Sequence, residues 1–94
     1  NFEQSSEEVL RMFRAYYPWP GLWAKFGDKR IKFLKIEKSE RKITAGKVEC
    51  DSDIYVGTKD ASIKVLELQM EGKKAMEAKS FLLGQQDICG TILL

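Results

Sequence analysis

Apolar and polar positions follow two rhythms, one near the start of the chain and one through its middle. Val9, Leu10, Phe13 and Tyr17 fall at i, i+1, i+4 and i+8, a stripe suited to a helix packed on a sheet, while Arg11 and Arg14 share another face. Ser5-Ser6-Glu7-Glu8 contains the S-x-x-E box, in which each of Ser5 and Glu8 satisfies the other's amide, so the helix is predicted to begin there. Pro18 disfavours helical geometry at Tyr17 and ends the run. Pro18-Trp19-Pro20-Gly21 then reads as a stiff corner, so residues 1–20 form a leading helix and a proline-rich bend. Trp19 and Trp23 are expected as large apolar anchors between this corner and the rest of the fold, rather than as platforms for a nucleotide base.

From Phe26 onward the pattern is that of strands. Gly27-Asp28 is a turn, and Arg30 to Glu37 carries Ile31 and Phe33 on one phase but Leu34 and Ile36 on the other, a slip that predicts a β-bulge or burial on both faces. Ser39-Glu40-Arg41-Lys42 is a polar connector. A second strand is predicted over Thr44 to Cys50, with Gly46 inside it, and a third over Asp53 to Val56. After a turn at Gly57 to Asp60 comes Ser62 to Gln69, where the phase slips again at Val65-Leu66. Ala75 to Leu83 reads as a helix packing through Met76, Phe81, Leu82 and Leu83, and Thr91 to Leu94 as a short closing strand. About five strands with these two helices predict a mainly β fold, a small OB-like Greek-key barrel; strand spacing alone leaves an SH3-like barrel open.

Composition narrows the chemistry. With 94 residues, 44% of them hydrophobic, the chain is sized for one domain with a modest core. No apolar run approaches the roughly 18 residues of a membrane span, and no leader pattern is visible, so a soluble protein is expected. There is no histidine, which removes the commonest proton-transfer group and the commonest zinc partner. No catalytic residue and no metal site are expected. Cys50 and Cys89, without CxxC spacing, are expected as reduced, part-buried thiols in the cytoplasm or an organelle matrix.

The net charge of +2 hides an asymmetry: residues 25–47 hold nine basic against three acidic residues, +6, whereas residues 48–71 hold two against six, −4. Lysines gathered on one surface add their potentials and attract polyanions. Charge alone leaves open a solvated lysine-rich face with no ligand.

Four blocks carry a resemblance. Arg14-Ala15-Tyr16-Tyr17-Pro18-Trp19-Pro20-Gly21 is similar to an R-A-x-x-P-W-P-G block, and Leu68-Gln69-Met70-Glu71-Gly72-Lys73-Lys74-Ala75-Met76 to an L-Q-x-x-G-K-K-x-M block. Phe81-Leu82-Leu83-Gly84 is similar to an F-L-x-G helix end and Gly90-Thr91-Ile92-Leu93 to a closing G-x-x-L. In this order, from about Ser5 to Leu94, they resemble the C-terminal domain of methionyl-tRNA formyltransferase. Residues 38–62 match only in pattern.

The resemblance favours the OB-like barrel and implies a fragment, residues 1–94, of a longer enzyme. Its N-terminal domain would bind 10-formyltetrahydrofolate and carry the chemistry; no cofactor is implied for this part. The implied partners are initiator tRNA and that N-terminal domain, with a monomer and no membrane expected. What carries over is a basic surface gripping phosphates and 2′-hydroxyls of A-form RNA. Lys73 and Lys74 lead, because Gly72 permits a tight turn that would project both from the mouth of the following helix. Lys25, Lys29, Arg30, Lys32 and Lys35 form the second group, and Arg11 and Arg14 are weaker. Gln69 is expected as a buried hydrogen-bonding residue. The alternative is a structural or inter-domain module of a related formyltransferase that does not bind RNA.

Overall fold

A computed structural model describes residues 2–17 and 21–93. The predicted corner at Pro18-Trp19-Pro20, and with it the expected anchor Trp19, lies outside the described residues. Helix α1 spans Ser6–Tyr16 and begins as the sequence predicts. The Ser5 hydroxyl accepts from the Glu8 amide at 3.2 Å, and the Glu8 carboxylate accepts from the Ser5 amide at 3.1 Å. The carboxylate, bonded first by that amide, is held below the usual glutamate range. Tyr17 leaves the helix in extended geometry. Val9 is buried, Leu10 and Phe13 pack partly buried against the core, and Tyr17 stays half exposed with its ring 5.4 Å from that of Phe13.

Among the described residues six strands form one antiparallel sheet: β1 Leu22–Phe26, β2 Lys29–Ser39, β3 Val48–Cys50, β4 Ile54–Gly57, β5 Ser62–Met70 and β6 Ala75–Glu77. They run in the order β1-β2-β5-β4-β3, with β6 also on β5, and the sheet curls into a half-barrel. The mainly β architecture with a leading helix and a helix near the chain's end is thus as expected.

The two predicted phase slips face each other. Phe33 pairs with Leu68, Lys35 with Glu67 and Ile36 with Val65, so Leu34 on β2 and Leu66 on β5 are the extra residues of compensating bulges. Each bulge flips the inward phase: Ile31 and Phe33 give way to Ile36 on β2, and Ile63 and Val65 to Leu68 and Met70 on β5, all of them buried. The bend divides β5. Its first half pairs with β4, up to Ile54 opposite Val65, and its second half offers that edge to β6 through Glu67, Leu68 and Gln69.

This second edge corrects the predicted helix. Ala75–Glu77 takes strand pairing there, so helix α2 begins only at Ala78 and runs to Gly84. Phe81 and Leu82 are buried as expected, but Met76 and Leu83 are exposed, one on the strand and the other on the outer side of a short helix.

Other boundaries shift for similar reasons. β1 begins at Leu22 rather than Phe26, because alternation of Leu22 and Ala24 inward completes a hairpin on β2. The strand predicted over Thr44 to Cys50 shrinks to Val48–Cys50, since Gly46 at φ +81° turns the chain and its amide bonds the Gly57 carbonyl. Gly57 itself is packed so closely on Thr44 and Ile43 that a Cβ there would strike their carbonyl oxygens. The closing strand reduces to one bridge, Lys47 to Ile92, preceded by a 3₁₀ turn over Gln86–Ile88 that the sequence pattern missed.

The cysteine expectation is overturned. Cys50, at the end of β3, and Cys89, just after the 3₁₀ turn, form a disulfide with Cα atoms 5.7 Å apart, closing a link across 39 positions. Their separation in sequence gave no hint of this, because only the return of the final segment beside β3 brings them together.

Candidate nucleic-acid interface

The β1–β2 hairpin, turned by Gly27 at φ +65°, sets its cations by alternation. With Leu22, Ala24, Ile31 and Phe33 buried, Trp23, Lys25, Arg30 and Lys32 are left to the outer face. Trp23 stands opposite Lys32, and Lys25 opposite Arg30. Lys32 in turn faces Gln69 on β5, which faces Ala75 on β6, so one transverse row crosses four strands.

Trp23 departs from the expected anchor role. It is 43% exposed, and the Arg30 guanidinium lies over its ring at 4.6 Å from the centroid. Trp23, Arg30, Lys32, Gln69, Glu71 and Gly72 line a shallow depression of about 380 Å³. Glu71 enters this basic ground because it extends the β2–β5 ladder: its amide donates to the Arg30 carbonyl at 2.8 Å and its carboxylate accepts from the Arg30 amide at 3.0 Å. Gln69 is exposed, against the expectation of burial, because its position falls on the outward phase after the bulge. Its side-chain nitrogen donates to the Lys73 carbonyl at 3.0 Å, bracing the next turn.

Lys73 and Lys74 occupy that turn between β5 and β6, opened by Gly72 at φ +79°. They do not project from a helix mouth, since strand β6 intervenes. Both line a second depression, of about 250 Å³, with Met70, Met76 and Phe81, and Met70 also borders the first. The structure therefore sets Arg30 and Lys32 in one depression and Lys73 and Lys74 in its neighbour, with Lys25 and Lys29 exposed on the adjoining hairpin.

Lys35 goes elsewhere. Beyond the bulge it pairs with Glu67 and lines a depression with Asp53, Glu67 and Glu77. Arg11 and Arg14 are exposed on α1 and line none of these three depressions.

Ion pairing sharpens the contrast. Lys38 pairs with Glu7 at 3.6 Å, Arg41 with Asp51 at 2.8 Å and Lys64 with Asp53 at 3.5 Å. None of these engages Lys25, Lys29, Arg30, Lys35, Lys73 or Lys74. The hydrogen bond to Asp51 holds the Arg41 guanidinium above its ordinary value, and the charge of Asp53 does the same for Lys64. Asp51 is held low, first by the Asp53 amide and then by Arg41. Arg41 also lies over Tyr55, 3.9 Å from the ring centroid. A fourth depression is apolar: Met12, Tyr16, Leu22, Trp23 and Ile92 line about 640 Å³ between α1, β1 and the final segment. Among the described residues no cluster of three or more His, Cys, Asp or Glu is placed to hold a metal ion, and no helix is long and apolar enough to cross a membrane.

The alternation, the bulges and the outer face were in part readable from the sequence. What it did not reveal was the exposure of Trp23, the Arg30 stack on its ring and the intrusion of Glu71. The place of Trp23 between Leu22 and Ala24, on the other phase of the same strand, was the signal that would have found the first.

Known proteins share this architecture. The family described as "Formyl transferase, C-terminal domain" matches residues 1–86. The methionyl-tRNA formyltransferase of Thermodesulfovibrio yellowstonii is 32% identical over 87 residues, covering 92% of this chain and 28% of its own length. That of Campylobacter curvus is 33% identical, covering 96% and 30%. The chain thus spans a little under a third of the length of these curated relatives. Among solved structures, HypX from Aquifex aeolicus in complex with tetrahydrofolic acid aligns with a TM-score of 0.68 at 23% identity, over 90% of this chain and 16% of that one, a likeness of fold. A variant of the same protein aligns at 0.70 and 19% identity, over 97% and 18%. With residues 1–86 matched by the family and curated relatives above 30% identity over most of its length, the chain belongs to the formyl transferase C-terminal domain family.

Proposed function

We propose that the chain is the tRNA-binding module of a methionyl-tRNA formyltransferase. It would hold initiator Met-tRNA while a separate N-terminal domain of the same parent chain transfers a formyl group from 10-formyltetrahydrofolate. The observation that carries this reading is the hairpin of β1 and β2, where the side chains of Lys25, Lys29 and Arg30 form no ion pair with a carboxylate among the described residues, beside the Lys73-Lys74 turn. Duplex RNA is gripped largely through phosphates and 2′-hydroxyls, for which such cations suffice. In this reading residues 1–94 form one domain and a monomer, an OB-like module with no catalytic, metal or cofactor residue of its own.

Each phosphate neutralised releases counterions, so affinity for labelled tRNA is expected to fall steeply with salt. Lys73→Ala combined with Lys74→Ala is expected to flatten the logarithmic salt slope by about 1 per lost contact, measured by electrophoretic shift across ionic strength. An unchanged slope rejects those two lysines, and no binding at low salt rejects the reading. The second reading, an inter-domain module without RNA, is favoured by the apolar depression at Tyr16, Leu22 and Ile92. It gains if tRNA is ignored.

A further inference from the structure

We infer that the stack of Arg30 on Trp23 is a seat for one unpaired RNA base, placed beside the phosphate-gripping cations; this rests on the RNA-binding reading above. The Trp23 indole is 43% exposed on the sheet, whereas Phe33, Phe81 and Phe2 are buried. The ring lies under the guanidinium carbon, 4.6 Å from its centroid, and so places a charged group beside an aromatic face at the wall of a depression. Unpaired bases stack on such aromatic and guanidinium planes, and they do so without strong sequence preference because every base has a π-face.

The rest of the depression suits a base rather than a bare phosphate. Gln69, tied through its nitrogen to the Lys73 carbonyl, has an amide oxygen with no bonding partner among the described residues, and Glu71 adds a carboxylate already placed by the Arg30 amide. Both are acceptors for exocyclic amino groups, whereas either would repel a phosphate at the same spot. Phosphates flanking the base would meet Lys25 and Lys29 on one side and Lys73 and Lys74 on the other. The volume of about 380 Å³ admits one nucleotide, not a duplex.

The test uses two labelled RNA hairpins with the same short single-stranded tail, one carrying its bases and one abasic, so that their phosphates are equal. The chain is expected to bind the hairpin with bases about tenfold more tightly. Trp23→Ala is expected to erase that gap and Trp23→Phe to keep part of it, with the salt slope the same in all three and circular dichroism reporting an unchanged fold. A gap that survives in Trp23→Ala overturns the inference. Equal binding of both hairpins by the unaltered chain also overturns it while leaving the RNA-binding reading intact. Binding to neither at low salt removes both.

Discussion

Strand β2 carries cations along its whole length, yet its two halves do different things with them. Before the bulge, Arg30 and Lys32 join Lys25 and Trp23 on an outer face where Glu71 is the one carboxylate lining the depression, and Lys29 is exposed at the hairpin turn. After it, Lys35 faces Glu67, Lys38 pairs with Glu7 and, just beyond the strand, Arg41 pairs with Asp51 while lying over Tyr55. One basic stretch of sequence therefore yields an open electrostatic surface at one end and a matched structural network at the other. Basic residues are worth reading as binding residues only after their partners are counted, because an exposed pair neutralises its own field within a few ångströms.

If the matched end is structural, damaging it should cost stability and spare binding. The largest such effect is expected from Cys50→Ser with Cys89→Ser, which opens the link between β3 and the final segment. In the chain-entropy account a loop of this length is worth about 4 kcal/mol, to be read from urea unfolding midpoints. RNA affinity of the folded variant should be unchanged, and a large loss of affinity would break the division.

The open end sets the converse test. Lys25→Ala, Lys29→Ala and Arg30→Ala together are expected to lower the salt slope of RNA binding by about 3, whereas Lys38→Ala with Arg41→Ala leaves it unaltered. Equal slopes in the two sets would dissolve the distinction between the halves of β2.

A smaller effect concerns how helix α1 is held at the matched end. The Asp60 carboxylate accepts from the buried Ser6 amide at 2.9 Å and from the Thr58 hydroxyl at 3.1 Å, and the Ser6 bond foremost holds it below the ordinary aspartate range. A folded value depressed in this way stabilises the protein above the unfolded pKa of about 4 and ceases to do so as pH falls through the folded value. Asp60→Asn is therefore expected to lower the melting temperature by a few degrees at neutral pH. The gap should close in acid, and a constant gap down to about pH 2 would show that the amide, not the charge, matters.

Local rules made much of this legible. The Ser5–Glu8 box set the helix start, Pro18 its end, and the phase slips at Phe33-Leu34 and Val65-Leu66 marked both bulges, because bulges leave their trace in the inward alternation itself. The candidate site was legible in its residue types and its hairpin. It was not legible in its membership: Lys35 reads like Lys32 in sequence, but the bulge between them turns it toward Glu67 and Asp53. The helix predicted from Ala75 failed for an allied reason, since the free edge of β5 exists only once β5 has bent.

The sequence by itself determined the helix boundaries at Ser5 and Tyr17, the alternating strands and their bulges, and the basic block of residues 25–47, since each depends on neighbours a few positions apart. Tertiary structure alone decided that Cys50 meets Cys89, that Arg30 lies on Trp23, and which cations find carboxylates. Those outcomes depend on which strand edges and segments are brought side by side from far along the chain, and no local periodicity records that.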